Sequence, residues 1–359
     1  MAQNQNEGQT RQVKGALFEA IVRSLLKKSN FLPIPPDGKQ IRNDFYNVRG
    51  RACWHNIDAC GKLSFTIPFV YPIRLLAEAK CYGKNVRLPT VQSFVGVVKD
   101  ISENYFINDK MTAVELQKFK RYTDCGTIFS ASDFSLRARQ FAVAHGISLV
   151  SYANNPIIKN AVDSMDRLIP TIDVPLASEH KDAFSEYVDD KLDYPPKRVP
   201  WSKFVITEKR WSFFREFNGL IEALNGIKTS LIGVAVSEKE DIQYPIHLLS
   251  TQEFPEQKFA ETDTLIFRPH YETISENDNG LVFRINIENN QEQRMERREV
   301  QLYFSLPKDV YEDYFKMGEM VRFKKAFMDS IEIPLKIKEM RRIIRLQIDK
   351  EWLDKLRTR

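Results

Sequence analysis

Residues 73–82 (IRLLAEAKCY) make an apolar run closed by Pro72 before it and Gly83 after it, a length and composition that suit a strand buried on both faces. Beyond Arg74 near its start, two charges interrupt the run. Glu78 and Lys80 stand two positions apart, so an extended chain turns both to the same face of a sheet. Neither can be buried alone without a large desolvation cost, and a fold that accepts this strand must give them a counter-charge, a phosphate or a metal ion. Upstream, Asp58 closes another strand-like stretch, and two carboxylates and an amine delivered by adjacent strands make a small divalent-metal site. The same acid-x-lysine spacing occurs at Asp37–Lys39, Glu179–Lys181, Asp189–Lys191 and Glu256–Lys258, but in polar, proline-flanked or acidic stretches where a solvated charge is the ordinary outcome.

At 359 residues the chain exceeds the usual size of one domain, and two are expected. Residues 13–28 have helical apolar spacing with Lys27 and Lys28 in the last turn, and Glu19 lies beside the apolar face, either exposed or aimed along a sheet edge toward Asp58. Residues 40–60 read as two strands around a turn at Gly50, with Asp58 near the end of the second, and residues 63–71 as a further strand or extended arm. Residues 89–103 and 113–122 read as helices, and residues 126–132, 134–146 and 147–152 as strand, helix and strand. That last unit implies a parallel or mixed sheet, so residues 11–160 are expected to form an α/β domain. Residues 161–200 are acidic and proline-containing and read as a connection, with a short helix at 180–191. The remainder, 201–359, opens on a helix at 208–224 and continues with strand-like segments at 229–237, 244–250, 263–270, 280–288, 299–305 and 341–348. Helices are expected at 308–316 and at the chain end, giving an α+β domain rich in antiparallel strands.

Charge separates the two parts. Residues 1–160 carry 22 Lys+Arg against 12 Asp+Glu, a net +10, while residues 201–359 carry 26 against 27, a net −1. The basic excess belongs to the part with Asp58, Glu78 and Lys80, as a polyanionic substrate requires. The polar first ten residues lack an apolar leader core and no stretch reaches membrane-spanning length, so a cytoplasmic protein with no membrane association is expected. Cys53, Cys60, Cys81 and Cys125 are too sparse for a disulfide scaffold, and their spacing with His55 lacks zinc-knuckle pairs, so buried reduced thiols are expected.

Hydrolysis of a phosphodiester needs an activated water and neutralised charge on the transition state, which an Mg²⁺ ion held by one or two carboxylates supplies. Asp58 and Glu78 fit as its ligands, and Lys80 as the group that orients water or holds phosphate. Burial would lower the lysine pKa and the carboxylates would raise it. Lys84 and Arg87, in the loop just after this strand, are placed to touch a DNA backbone, whereas Arg137 and Arg139 read as a solvated helix face and His55 as structural.

The order Gly15-x-x-Phe18-Glu19, Ile57-Asp58, Glu78-Ala79-Lys80, then QSFVG at 92–96 and the strand–helix–strand unit, resembles the Mrr-like branch of the PD-(D/E)XK restriction endonucleases over residues 13–153. The resemblance implies a restriction-endonuclease-like mixed sheet flanked by helices, Mg²⁺ (or Mn²⁺ in its place) on Asp58 and Glu78, a water-assisting Lys80, Glu19 joining the metal shell and Gln92 near the site. Ile57 replaces the proline of the family pattern, and the segment at 63–72 is longer than a minimal hairpin. The function implied is DNA cleavage in restriction or phage defence, with the C-terminal domain selecting a target, sensing, or joining a homodimer or partner protein. Two rival readings are a non-catalytic nucleic-acid-binding module and a defence-complex subunit that is silent without its partner or signal. An RNA substrate is disfavoured because no aromatic single-strand platform accompanies the basic segments.

Overall fold

The computed structural model describes residues 2–38, 40–42, 47–65, 67–105, 110–118, 120–193, 203–237, 242–259, 263–272, 280–287, 300–307, 329–337 and 340–351. The first helix, α1 (Ala2–Lys27), starts well before its apolar stripe and buries Val13, Leu17, Phe18, Ile21 and Leu25. After β1 (Phe31–Pro33) come β2 (Ile41–Arg42), β3 (Asn47–Arg49) and β4 (Trp54–Asn56), which pair only with one another in a small antiparallel sheet. Asp58 therefore does not end a strand, as its sequence context suggests, but sits on the bend that leads into β5 (Ala59–Leu63). The following segment is not extended either. It is an irregular loop with a turn from Ile67 to Val70, and Phe69 takes the left-handed conformation with φ 65°.

The loop returns into β6 (Ile73–Lys80), followed by α2 (Leu88–Ser102), the short α3 (Ala113–Gln117), β7 (Thr123–Ser130), α4 (Leu136–Ala144) and β8 (Ser148–Ser151). The sheet order is β1-β5-β6-β7-β8, antiparallel through β6 and parallel from β6 to β8, so this part is mixed α/β. Strand alternation divides its core. Leu75, Ala77 and Ala79 point to the face covered by α1, while Cys60, Leu76 and Ile128 point to the face covered by α2 and α4. Glu78 and Lys80 alternate in step with Leu76 and so share its face. Gly126 lets α2 come down onto β7: a Cβ there would lie 2.6 Å from Ile147 Cδ1 and 2.8 Å from Val98 Cγ2.

Residues 161–193, the described part of the segment 161–200 read from composition as a connection, are largely helical. They begin inside α5 (Pro156–Leu168) and continue through α6 (Val174–Glu179) and α7 (Lys181–Asp193). Ala161, Met165, Leu168, Ala177, Phe184 and Val188 join the same core as α1, because the acidic residues, Asp189 excepted, lie off the apolar inner sides of these helices. Next, α8 (Arg210–Gly226) packs on α5 and leads into the second part.

That part is a closed barrel in the order β10-β13-β12-β11-β15-β14-β9, made of β9 (Thr229–Ser237), β10 (Ile242–Ser250), β11 (Thr264–Glu272), β12 (Gly280–Ile287), β13 (Val300–Pro307), β14 (Ser330–Ile337) and β15 (Met340–Ile348). Pairing is antiparallel except between β11 and β15. The strand β14 is absent from the sequence reading, and closure depends on it. The helices expected at 308–316 and at the chain end lie outside the described residues. Among the described residues no helix is long and apolar enough to cross a membrane.

The barrel is fastened to the first sheet through buried polar contacts. Ser230 Oγ donates to Leu25 O at 2.9 Å, which uses its only proton, so it accepts from His247 Nε2–H at 2.8 Å. His247 Nδ1 is then the acceptor for the Tyr152 hydroxyl at 2.6 Å. Asn30 Nδ2 reaches Pro334 O at 2.8 Å. Burial pushes the His247 pKa down to about 3. Its folded value lies below the ordinary value of about 6.5, so the unfolded chain binds the proton first and stability is lost as the pH falls below about 6.5. Between pH 7 and about 4.5, wild type is expected to lose about 2–3 kcal/mol more than His247→Gln, measured by urea denaturation of both proteins at each pH.

Candidate active site

Asp58 and the end of β6 meet because β5 and β6 pair antiparallel with Ala59 opposite Ala77. Asp58 Oδ2 accepts from Ala79 N at 2.7 Å, which ties the bend to the strand between Glu78 and Lys80. Lys80 Nζ donates to Glu78 Oε1 in a short ion pair whose two side chains are 21% and 22% exposed. The sequence-predicted trio is therefore brought to one end of one strand pair.

Glu19 joins it from α1. Its side chain is mostly buried and forms ion pairs with Arg23 Nη1 at 3.9 Å and Lys181 Nζ at 3.5 Å. Arg23 also donates to the carbonyl of Asp58 at 2.8 Å and to Asp189 Oδ1 at 3.0 Å, so α1 and α7 both brace the bend. Arg23 is absent from the sequence reading, and Lys181 and Asp189 enter it only as members of acid-x-lysine spacings read as solvated charges, which their ion pairs here correct. Arg23 had a readable signal in its four-residue spacing from Glu19 on a helix, whereas Lys181 and Asp189 lie on a distant segment.

Burial, then the charges of Glu19 and Glu78, push the Asp58 carboxyl up to about 7, against the pull of Lys80 and the Ala79 N–H. For Lys80 the balance is reversed. Burial works against its charge, but Glu78 and Asp58 outweigh it and hold the ammonium above its ordinary value. Lys80 is thus a cation at neutral pH and suited to hold and donate, which decides between the two directions open from sequence.

The donor set suits a hard divalent cation. Carboxylate oxygens are the ligands Mg²⁺ prefers, and the burial and neighbouring carboxylates that raise the Asp58 pKa are what such an ion offsets. Among the described residues, Glu19, Asp58 and Glu78 do not bring three donor oxygens within 4.8 Å of one another. An ion there would take one or two carboxylates and complete its shell with water and substrate, as Mg²⁺ commonly does.

The remaining expected residues lie at the surface around this point. Lys84 is exposed in the loop after β6 and Arg87 is exposed at the start of α2, and neither side chain has an ion pair among the described residues. Gln92 is exposed on the first turns of α2 and makes no hydrogen bond to Glu78 or Lys80. Arg137 is solvated as expected, but Arg139 is not: it is largely buried and pairs with Asp133 at 3.5 Å. The expectation of four buried thiols also fails at Cys53, which is exposed, while Cys60 is buried and Cys81 and Cys125 are half-buried. No protein-family model, curated protein or solved structure matches this chain.

Proposed function

We propose that the chain is a Mg²⁺-dependent DNA endonuclease of restriction or phage-defence type, with the restriction-endonuclease-like fold of the PD-(D/E)XK Mrr-like branch in its first part. One observation carries this reading: Asp58, Glu78 and the charged Lys80 converge at the end of β6, with Glu19 beside them and electrostatic surroundings that disfavour the ionised Asp58. In this reading Asp58 and Glu78 hold Mg²⁺, or Mn²⁺ in its place, and the ion supplies charge neutralisation and a more acidic water.

The chain's own residues supply position. The Ala79 N–H fixes the orientation of the Asp58 carboxylate, and Arg23 fixes its backbone. Lys80 is a permanent cation, so its role is to hold a phosphate oxygen and orient the attacking water, not to remove a proton from it. Glu19 is a further carboxylate within electrostatic reach of Asp58. Lys84 and Arg87, with no ion pair among the described residues, present charges on the surface beside the strand end, where a DNA backbone would lie. Gln92 receives no role from its contacts.

The test is conversion of supercoiled plasmid to nicked or linear product by the purified full chain. The expected result is conversion with Mg²⁺ or Mn²⁺ that stops on addition of EDTA. Absence of conversion on both methylated and unmethylated DNA, or conversion that EDTA leaves unchanged, overturns the proposal.

A further inference from the structure

Cys53, His55 and Asp100 bring a sulfur, an imidazole nitrogen and a carboxylate oxygen within 4.8 Å of one another, the one such group of three among the described residues. Sequence spacing offers only the Cys53-x-His55 pair, set aside above for lack of zinc-knuckle partners, because the third member comes from the last turn of α2. His55 lies in β4 and Cys53 on the bend just before it, two positions away. His55 Nε2 is 3.6 Å from Cys53 Sγ and 2.6 Å from Asp100 Oδ2. The surrounding backbone is shaped around the carboxylate. Arg51 N donates to Asp100 O at 2.9 Å and Ala52 N to Asp100 Oδ1 at 3.0 Å. Gly50 is required for this approach, since a Cβ there would stand 2.0 Å from Asp100 Oδ2 and 2.8 Å from His55 Cδ2.

We infer that Cys53, His55 and Asp100 form a zinc-class metal site that fastens the β3–β4 hairpin to the end of α2. Zinc is bound by thiolate at about 2.3 Å, by imidazole at about 2.0 Å and by carboxylate at about 2.1 Å, so a tetrahedron places sulfur and nitrogen about 3.6 Å apart and nitrogen and oxygen about 3.4 Å apart. The sulfur–nitrogen edge already has that length. The nitrogen–oxygen edge is closed by a hydrogen bond and has to open by about 0.8 Å, with the ion taking the place of the shared proton. Mg²⁺ does not suit this site, because it avoids sulfur. Three protein ligands leave a fourth position for water.

Metal binding takes Asp100 as the carboxylate, His55 through its Nε2 lone pair and Cys53 as the thiolate, so the proton shared between His55 and Asp100 leaves Nε2 and the thiol proton is released to solvent. The consequence reaches the proposed active site without depending on its function. His55 is three residues before Asp58, and the ion would fix the segment that leads into that bend.

The experiment is a Co²⁺ titration of the full chain after chelator treatment and desalting, followed by optical absorption. The expected result is one equivalent bound, with a thiolate-to-cobalt band in the near ultraviolet that Zn²⁺ bleaches. Cys53→Ser is expected to abolish the band and His55→Ala to weaken binding by more than about 100-fold, with circular dichroism unchanged in both. Asp58→Asn is expected to keep the band. A folded wild-type chain that shows no thiolate band contains only a His–Asp hydrogen bond and overturns the inference. A band that survives Cys53→Ser, or disappears in Asp58→Asn, places the ion elsewhere and overturns it as well.

Discussion

Lys80→Ala is expected to slow single-turnover DNA cleavage by about 10²–10³-fold, the range found when one preorganised donor to the developing charge is removed. Its effect on stability is expected to be small. The Lys80–Glu78 pair is partly open to solvent, so its loss costs about 1 kcal/mol or less, most of it from leaving Glu78 and Asp58 less compensated. That separation between rate and stability distinguishes a catalytic lysine from a structural one. Lys80→Arg is expected to keep the fold and recover little of the rate, because a planar guanidinium cannot reproduce the point charge now held by Glu78. The measurement is quenched-flow cleavage of a labelled duplex with enzyme in excess, alongside thermal denaturation of the same preparations. Equal cleavage rates in wild type and Lys80→Ala would remove Lys80 from the mechanism.

Asp124→Ala is expected to produce the largest loss of stability, about 3–5 kcal/mol. Arg74 and Asp124 pair across β6 and β7 through Nε–Oδ1 at 2.5 Å and Nη2–Oδ2 at 3.0 Å, with side chains 2% and 0% exposed. The Tyr122 ring lies 4.7 Å from the guanidinium, and the Tyr105 hydroxyl lies 3.5 Å from Nη2. Burial opposes the charge on Arg74, but Asp124 more than compensates and holds its pKa above the ordinary value. Removing the carboxylate leaves a buried cation with only aromatic partners. Replacing both residues is a different matter. Arg74→Met with Asp124→Leu is expected to recover most of the stability, because an apolar pair of similar volume has no charges to desolvate. Urea denaturation of the two single variants and the double variant checks this. A double variant no more stable than Asp124→Ala would mean that the pair also sets the register of β6.

The strand with Glu78 and Lys80 was legible because its boundaries are chemical: Pro72 and Gly83 close an apolar run of strand length. The β7–α4–β8 unit was legible for the same reason, since its period changes from that of a strand to that of a helix and back within a short span. Asp58 was legible as a residue but not as a geometry. It lies on a bend whose position is set by Arg23 from α1 and by the Ala79 N–H, and neither contact leaves a mark near Asp58 in the sequence.

Composition hides the helices of residues 161–193, because most of their acidic residues and prolines lie on the outer sides and at the ends of α5, α6 and α7 and say nothing of the inner sides. Barrel closure was hidden by β14. Pro334 interrupts its run and argues against a strand, and it is accommodated because only Ser330, Ile331 and Glu332 pair with β9. The Cys53–His55–Asp100 group was out of reach for a third reason. Pairing a hairpin with the far end of a helix is a tertiary event, and local spacing carries no record of it.

The central claim is that Asp58, Glu78 and Lys80 cut DNA with a bound divalent ion. Its most direct test is the rate of plasmid cleavage against Mg²⁺ concentration, measured in parallel for wild type, Asp58→Asn and Cys53→Ser. The account predicts Mg²⁺-dependent cleavage that saturates in wild type and in Cys53→Ser, and that falls by at least about 10²-fold in Asp58→Asn at every Mg²⁺ concentration. Cleavage by Asp58→Asn at the wild-type rate, or no cleavage by wild type at any Mg²⁺ concentration, would contradict it.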